Sequence, residues 1–184
     1  MLGLKQGVLL VLLLVTGMGS ASAEFNKSIG VMVGYPVWQF ETDEYYDTSE
    51  PALRLFSEIA IDKTTHLEFA LFSLGAIEDN VSYWDESIDA KGLSLSLAKL
   101  VLLPGSVSLR GKAGLFWSDS DMELGGESWG SDGNFSALLG VGLQVDVSKK
   151  IALRGEFEVH HLDLGNSMNI FSTMFGVVMN FEEY

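Results

Sequence analysis

The sequence has no cysteine, and it has only 11 lysine and arginine residues against 25 aspartate and glutamate residues in a chain of 184. The lack of cysteine excludes disulfides and thiolate metal sites. A formal charge of −14 argues against nucleic acid as a partner, because phosphate binding needs clustered basic side chains. After the N-terminal region, no apolar run approaches the ~20 residues that a membrane-crossing helix needs. The length leaves room for one domain.

The first 23 residues have the pattern of a secretory signal peptide. Lys5 supplies a positive start, residues 8–15 form an unbroken apolar core, and Ala21-Ser22-Ala23 gives the small residues of a cleavage site. A helical membrane anchor is the alternative, but the apolar run is too short to cross a bilayer and no basic cluster follows it. We therefore expect residues 1–23 to be a signal peptide and residues 24–184 to form the mature domain.

Beyond residue 27 the hydrophobic pattern has a period of two, which indicates β-strands. Strands of globular proteins commonly have ~5–6 residues, whereas a tilted strand that crosses a bilayer needs ~9–11. Eight runs of 11 to 14 residues follow the pattern: 28–40, 51–62, 64–74, 91–102, 107–118, 134–147, 151–161 and 170–181. Their length favours strands that cross a membrane.

The two faces of these runs differ in polarity. The odd positions are apolar in every run, with Lys99 as the charged exception, and the even positions carry many small residues and balanced charges. A soluble barrel with an apolar interior is the alternative, but small residues suit the crowded lumen of an eight-stranded barrel, and balanced charges can pair there. We therefore predict that the odd face meets lipid, where Arg or Lys at the midplane would cost ~2–4 kcal/mol. Lys99 either reaches to the interface or is turned into the lumen by a β-bulge.

The connections between the runs alternate in length. Short turns fall at 62–65, 103–106 and 148–150, and long loops fall at 41–50, 74–90, 119–133 and 162–169. Outer-membrane barrels have short periplasmic turns and longer extracellular loops. With eight strands, both mature termini are then expected on the periplasmic side.

Several segments resemble OmpA-type transmembrane domains and their small eight-stranded relatives. Residues 109–117, residues 151–157 and the final strand, which alternates apolar residues up to Phe181, carry this resemblance. It implies an all-β fold, an eight-stranded antiparallel up-and-down transmembrane β-barrel in the outer membrane of a Gram-negative envelope. It also implies a monomer in contact with outer-membrane lipids and lipopolysaccharide, and recognition of the C-terminal strand by the barrel-assembly machinery. Either Phe181 or Tyr184 would be the terminal aromatic residue of that signal.

The charged residues of the even face are the first candidate site. We predict that they form a lumen charge network that plugs the barrel; a narrow gated pore is the alternative. The network comprises Arg54, Glu58, Glu68, Arg110, Lys112, Arg154, Glu156 and Glu158.

The acidic loops are the second candidate site. Segments 41–50, 74–90 and 119–133 each contain five acidic residues and no lysine or arginine. Asp119, Asp121 and Glu123 have the alternating carboxylates of a candidate cation-binding loop, but the glycine and the final glutamate of an EF-hand are missing. The functional interpretation is binding of divalent cations or of a basic partner, and simple solvation is the alternative.

Catalysis on this fold would need a nucleophile near a base. Lipid A deacylase barrels use an H-x-S motif, whereas here His160-His161-Leu162-Asp163 stands in the corresponding strand and the nearest serine is Ser167. His66 is predicted to be a hydrogen-bonded lumen residue. We expect no catalytic residue, no metal and no cofactor, and a structural, envelope-integrity or surface-interaction role; a lipid A-modifying hydrolase and a narrow gated pore are the alternatives.

Overall fold

A computed structural model describes residues 26–40, 45–47, 50–79, 86–124, 127–163 and 167–181. The predicted signal peptide, residues 1–23, lies outside the described residues. No helix in these ranges is long and apolar enough to cross a membrane. The strands are β1 (Lys27–Phe40), β2 (Tyr45–Asp47), β3 (Ala52–Ala60), β4 (Thr65–Asp79), β5 (Glu86–Leu102), β6 (Val107–Leu124), β7 (Glu127–Asp146), β8 (Ile151–Asp163) and β9 (Ser167–Phe181).

Eight long strands close into an antiparallel barrel. Each long strand pairs with the next one along the chain, and β1 pairs with β9 from Lys27↔Phe181 to Phe40↔Met168. The short strand β2 pairs only with the far half of β1, at Val37 to Gln39, and takes no part in closure. The predicted eight-stranded, all-antiparallel up-and-down topology is confirmed.

The first and last described residues lie at the same end of the barrel as the three short turns, and we name this end the turn end; the opposite end is the loop end. In the turn 103–106, Gly105 has a φ of +88°, a left-handed conformation that glycine adopts without strain. In the turn 61–64, the Asp62 carboxylate accepts hydrogen bonds from the backbone amides of Thr64 and Thr65. These bonds hold the pKa of Asp62 well below its usual range.

The strands reach further toward the loop end than the sequence pattern predicts. Segments 74–90 and 119–133 were expected to be loops, but β4 ends at Asp79, β5 begins at Glu86, and β6 and β7 run to Leu124 and from Glu127. Likewise β8 and β9 extend into the predicted loop 162–169, and β2 lies within the predicted loop 41–50. The backbone ladder continues where both faces of a strand are polar, so hydrophobic periodicity gives no sign of it.

Burial alternates along the strands as predicted. Odd residues such as Val141 and Phe135 are 62% and 79% exposed on the outer wall, and even residues such as Phe56 and Glu68 are fully buried in the lumen. Lys99 is exposed on the outer wall, and its Nζ donates a hydrogen bond to Thr65 Oγ1 at 2.8 Å. The pairing of β5 with β4 and β6 is regular at this position, so the β-bulge alternative for Lys99 is wrong.

Lys91, at the start of the same predicted run, is a second lysine that is exposed at an odd position. The sequence interpretation missed it because the residue stands at the edge of the apolar pattern.

Candidate functional site

Charged side chains meet in the middle of the barrel. The eight residues of the predicted lumen network stand at even positions of four strands: Arg54 and Glu58 on β3, Glu68 on β4, Arg110 and Lys112 on β6, and Arg154, Glu156 and Glu158 on β8. None is more than 6% exposed. The period of two therefore places all eight in one enclosed volume.

Glu68 lies at the centre of this network. Its carboxylate accepts hydrogen bonds from Arg54 Nη2 at 2.7 Å, from Arg110 Nη2 at 2.7 Å and from Lys112 Nζ at 3.1 Å. Ser96 Oγ lies 3.4 Å from the same carboxylate. Three cations thus stabilise one buried negative charge, which is the condition under which a charge can be buried at moderate cost.

A second group of contacts lies toward the turn end. Arg154 donates two hydrogen bonds to the Glu58 carboxylate, at 2.8 and 2.9 Å, and its Nε and Nη2 donate to Gln144 Oε1. Arg110 also donates to Glu58, and Ser28 Oγ donates to it at 3.1 Å. The bidentate pairing of Arg154 with Glu58 is the strongest form of an arginine–carboxylate contact.

A third group lies toward the loop end. Lys112 Nζ is 2.9 Å from Glu156 Oε2 and 2.6 Å from Glu158 Oε1. Arg54 Nη1 donates a hydrogen bond to each of these two carboxylates, and its distance to Glu156 Oε2 is 2.8 Å. Four cations and four carboxylates together give the network no net charge.

Aromatic and small residues complete the packing of this region. The guanidinium carbons of Arg54 and Arg154 lie 4.9 and 4.8 Å from the centroid of the buried Phe56 ring, within cation–π range. A Cβ added at Gly30 would lie 2.2 Å from Phe56 Cζ, so this position has room only for glycine. The charge pattern of the sequence did not single out Phe56 and Gln144 as members of the site, although their even numbers place them in the lumen.

Three rings lie on the loop-end side of the charges. Phe72, Phe116 and His160 pack with centroid distances of 5.1 to 5.7 Å. His160 is 2% exposed, and its Nε2 lies 3.2 Å from Glu158 Oε2. His161 is exposed and points outward, with Nδ1 3.0 Å from Asn169 Oδ1. The two histidines therefore face opposite sides of the wall and cannot share one catalytic site; nothing is described of the Ser167 side chain.

A cavity of about 430 Å³ lies at the turn end of the lumen. His66 lines it together with Asn26, Gln144 and Asn180. The predicted lumen placement of His66 is confirmed, but its Nδ1 has no hydrogen-bond partner among the described residues. The charged network separates this cavity from the three rings.

Asp119, Asp121 and Glu123 lie on β6, not in a loop, because β6 runs to Leu124. Their side chains lie outside the described part of the structure. Among the side chains that are described, no group of three or more acidic or histidine residues could hold a metal ion.

The model of the outer membrane protein beta-barrel domain matches residues 8–181. The fold is similar to that of Neisserial surface protein A, with a TM-score of 0.66, 11% identity, and 86% of this chain and 98% of that chain covered. It is similar to Ail, the attachment invasion locus protein of Yersinia pestis, with a TM-score of 0.61, 15% identity, and coverage of 86% and 100%. It is also similar to the outer membrane protein OprG of Pseudomonas aeruginosa, with a TM-score of 0.61, 10% identity, and 88% of this chain and 97% of that chain covered. No curated protein matches the chain by sequence.

Proposed function

The chain belongs to the outer membrane protein beta-barrel domain family, and we propose that it is a non-conducting, non-enzymatic integral membrane protein that contributes to envelope integrity. It is an outer-membrane β-barrel protein, and its apolar outer wall suits a lipid environment. We further propose that it is a monomer with both mature termini in the periplasm.

The observation that carries this proposal is the filled lumen. An eight-stranded barrel is just wide enough for its interior side chains to fill it, and a wide aqueous channel needs ~16 strands. Here eight buried charges with mutual ion pairs span the middle of the lumen, and three packed rings follow on one side. A filled, electrically neutral interior supports a structural plug over a steady ion path.

Conductance across planar lipid bilayers tests this proposal. We expect no steady current from the wild-type protein, and a leak from the double variant Arg54→Ala/Glu68→Ala, which empties the centre of the network without changing its net charge. Lys150→Ala, in an exposed turn, is the matched control and should stay silent. Stable openings of the wild-type protein would contradict the plug and favour the narrow gated pore.

The absence of enzymatic activity is part of the proposal and has its own test. The support is the placement of His160 in the lumen and His161 on the outer wall. A mass spectrum of lipid A from cells with and without the protein should be the same. A lost or added acyl chain would overturn the proposal and indicate a lipid A-modifying hydrolase.

A second role, contact at the cell surface, is favoured by the charge of the loop end. Segments 41–50, 74–90 and 119–133 carry five acidic residues each and no basic residue. One solved structure of Ail, with a TM-score of 0.60 and 16% identity, is in complex with the heparin analogue sucrose octasulfate. The acidic segments of this chain would repel such a polyanion, so divalent cations, including those that bridge lipopolysaccharide, or a basic partner are the proposed ligands. Calorimetry with Ca²⁺ and with sucrose octasulfate should give binding of the cation alone.

Assembly is proposed to use the end of β9. Phe181 is the last residue of this strand and is 46% exposed on the outer wall, whereas Tyr184 lies outside the described residues. We therefore propose Phe181 as the terminal aromatic residue that the barrel-assembly machinery recognises. Phe181→Ala should lower the amount of folded protein in the outer membrane, and Tyr184→Ala should leave it unchanged; the reverse result would assign the signal to Tyr184.

A further inference from the structure

A groove of about 680 Å³ runs along the outer wall across β5 to β8, with Thr65 of β4 at one end. Its floor contains the exposed residues Gly111 and Ala113, which stand in neighbouring rows of the sheet. In these rows Gly111 pairs with Val141, and Ala113 lies between Leu97 and Leu139. The two small residues lie among taller apolar side chains, so the wall is concave here.

Lys99 brings an exposed ammonium group to this groove. It pairs directly with Gly111 across β5 and β6, and it lies four residues before the turn that begins at Leu103. Its Nζ donates to Thr65 Oγ1 at 2.8 Å, and Thr65 also lines the groove. The groove therefore has an apolar length and a polar, cationic head at its turn end.

The head has unused hydrogen-bonding capacity suited to a phosphate. An ammonium group has three donors, of which Thr65 Oγ1 takes one, so Lys99 has two more to offer, whereas the Thr65 hydroxyl is itself hydrogen-bonded to the Asp62 carboxylate. Exposed lysines at 63, 149 and 150 lie in turns at the same end and, with Lys99, outnumber the exposed Asp62 and Asp146 among the described residues there, while the acid-rich segments lie at the loop end. An anionic headgroup is thus complementary in charge to the turn end.

We propose that this groove binds one phospholipid with an anionic headgroup, with an acyl chain along Gly111 and Ala113 and the phosphate at Lys99. This inference rests on the proposed membrane orientation, which places the turn end in the phospholipid leaflet. It does not depend on whether the lumen conducts.

Native mass spectrometry of the purified full protein tests the site, with phosphatidylglycerol and phosphatidylcholine of identical acyl chains supplied in equal amounts. The wild-type protein should retain one phosphatidylglycerol with a preference of about fivefold, the factor expected for one lysine near an anionic lipid surface. Lys99→Gln should lose the preference and Lys99→Arg should keep it. Lys91→Gln, exposed on the same strand toward the loop end and outside the groove, is the matched control and should keep it as well.

A second variant tests the apolar part of the groove. Gly111→Leu fills it, and nothing lies within 4 Å of a Cβ at this position, so the barrel should fold and show the usual difference in gel mobility between boiled and unboiled samples. It should lose the retained lipid although Lys99 is present. An unchanged preference in both Lys99→Gln and Gly111→Leu would overturn the proposal.

Three other results would also overturn it. Retention of lipid A in place of phosphatidylglycerol would assign the groove to the other leaflet and contradict the proposed orientation. A dimer that Gly111→Leu dissociates would make a second copy of the chain the occupant. Equal retention of both phospholipids would mean that no headgroup is recognised. Conductance measurements are independent of all three, so they separate failure of the lipid site from failure of the plug.

Discussion

The substitution Glu68→Gln removes the central negative charge of the lumen with little change in shape. Glu68 is fully buried, and cationic nitrogens of Arg54, Arg110 and Lys112 lie within 3.1 Å of its carboxylate. The amide can still accept a hydrogen bond, but the network is left with one uncompensated positive charge. Loss of one partner of a buried ion pair costs ~3–5 kcal/mol, and we expect the free energy of unfolding to fall by about 3 kcal/mol.

A compensating variant separates the effect of charge from the effect of packing. Lys112→Met alone removes the cation that contacts Glu68, Glu156 and Glu158, and it leaves one uncompensated negative charge. In Glu68→Gln/Lys112→Met the network is neutral again. The double variant should therefore be more stable than the sum of the two single effects predicts, by ~1–3 kcal/mol.

The assay is urea unfolding of the barrel in phospholipid vesicles, followed by tryptophan fluorescence and by gel mobility without boiling. Lys150→Gln, in an exposed turn, is the control and should change the free energy of unfolding by no more than ~0.5 kcal/mol. A cost below ~1 kcal/mol for Glu68→Gln, together with additive effects in the double variant, would refute the argument that paired charges hold the lumen together.

Three further predictions concern the wall and the turns. Leu143→Arg, on the outer wall, should cost ~2–4 kcal/mol and reduce the heat-modifiable form on gels; normal folding would reverse the assignment of the faces. Gly30→Ala should destabilise the barrel by ~1–3 kcal/mol in urea because its methyl group meets Phe56, whereas Gly111→Ala, with open space around it, should be nearly neutral. Because the pKa of Asp62 is lowered on folding, its stabilisation of the turn is present above the ordinary value of 3.8 and is lost as the pH falls below it. The protection of the amides in that turn, relative to their intrinsic exchange rates at the same pH, should therefore fall at low pH in the wild-type protein, and at neutral pH in Asp62→Ala.

The sequence predicts the wall of the barrel well because burial there has a simple rule. A strand turns alternate residues to opposite sides, so the parity of Arg154 and Glu156 on β8 is enough to place both in the lumen. Because the number of long strands is even, β1 and β9 run in opposite directions and can close the barrel as an antiparallel pair.

The extent of the strands at the loop end could not be predicted in the same way. β6 continues to Leu124 through Asp119 and Asp121, which hydrophobic periodicity assigns to a loop. Backbone pairing with β5 and β7 maintains the strand there, and pairing partners cannot be read from local composition. The contacts inside the lumen were equally hidden, because which of four carboxylates Arg54 meets depends on the stagger between strands.

A charged interior also solves a problem that an apolar interior would create. The outer wall must be apolar, so an apolar lumen would turn each strand into a continuous hydrophobic run of the kind that aggregates while unfolded. In β8 the residues Arg154, Glu156 and Glu158 interrupt such a run at every second position. In the closed barrel the same charges lie next to opposite charges from β3, β4 and β6, where pairing offsets their desolvation. The network is therefore a way to fill the lumen while the unfolded chain stays polar enough to remain in water, and this requirement holds whether or not the lumen ever conducts.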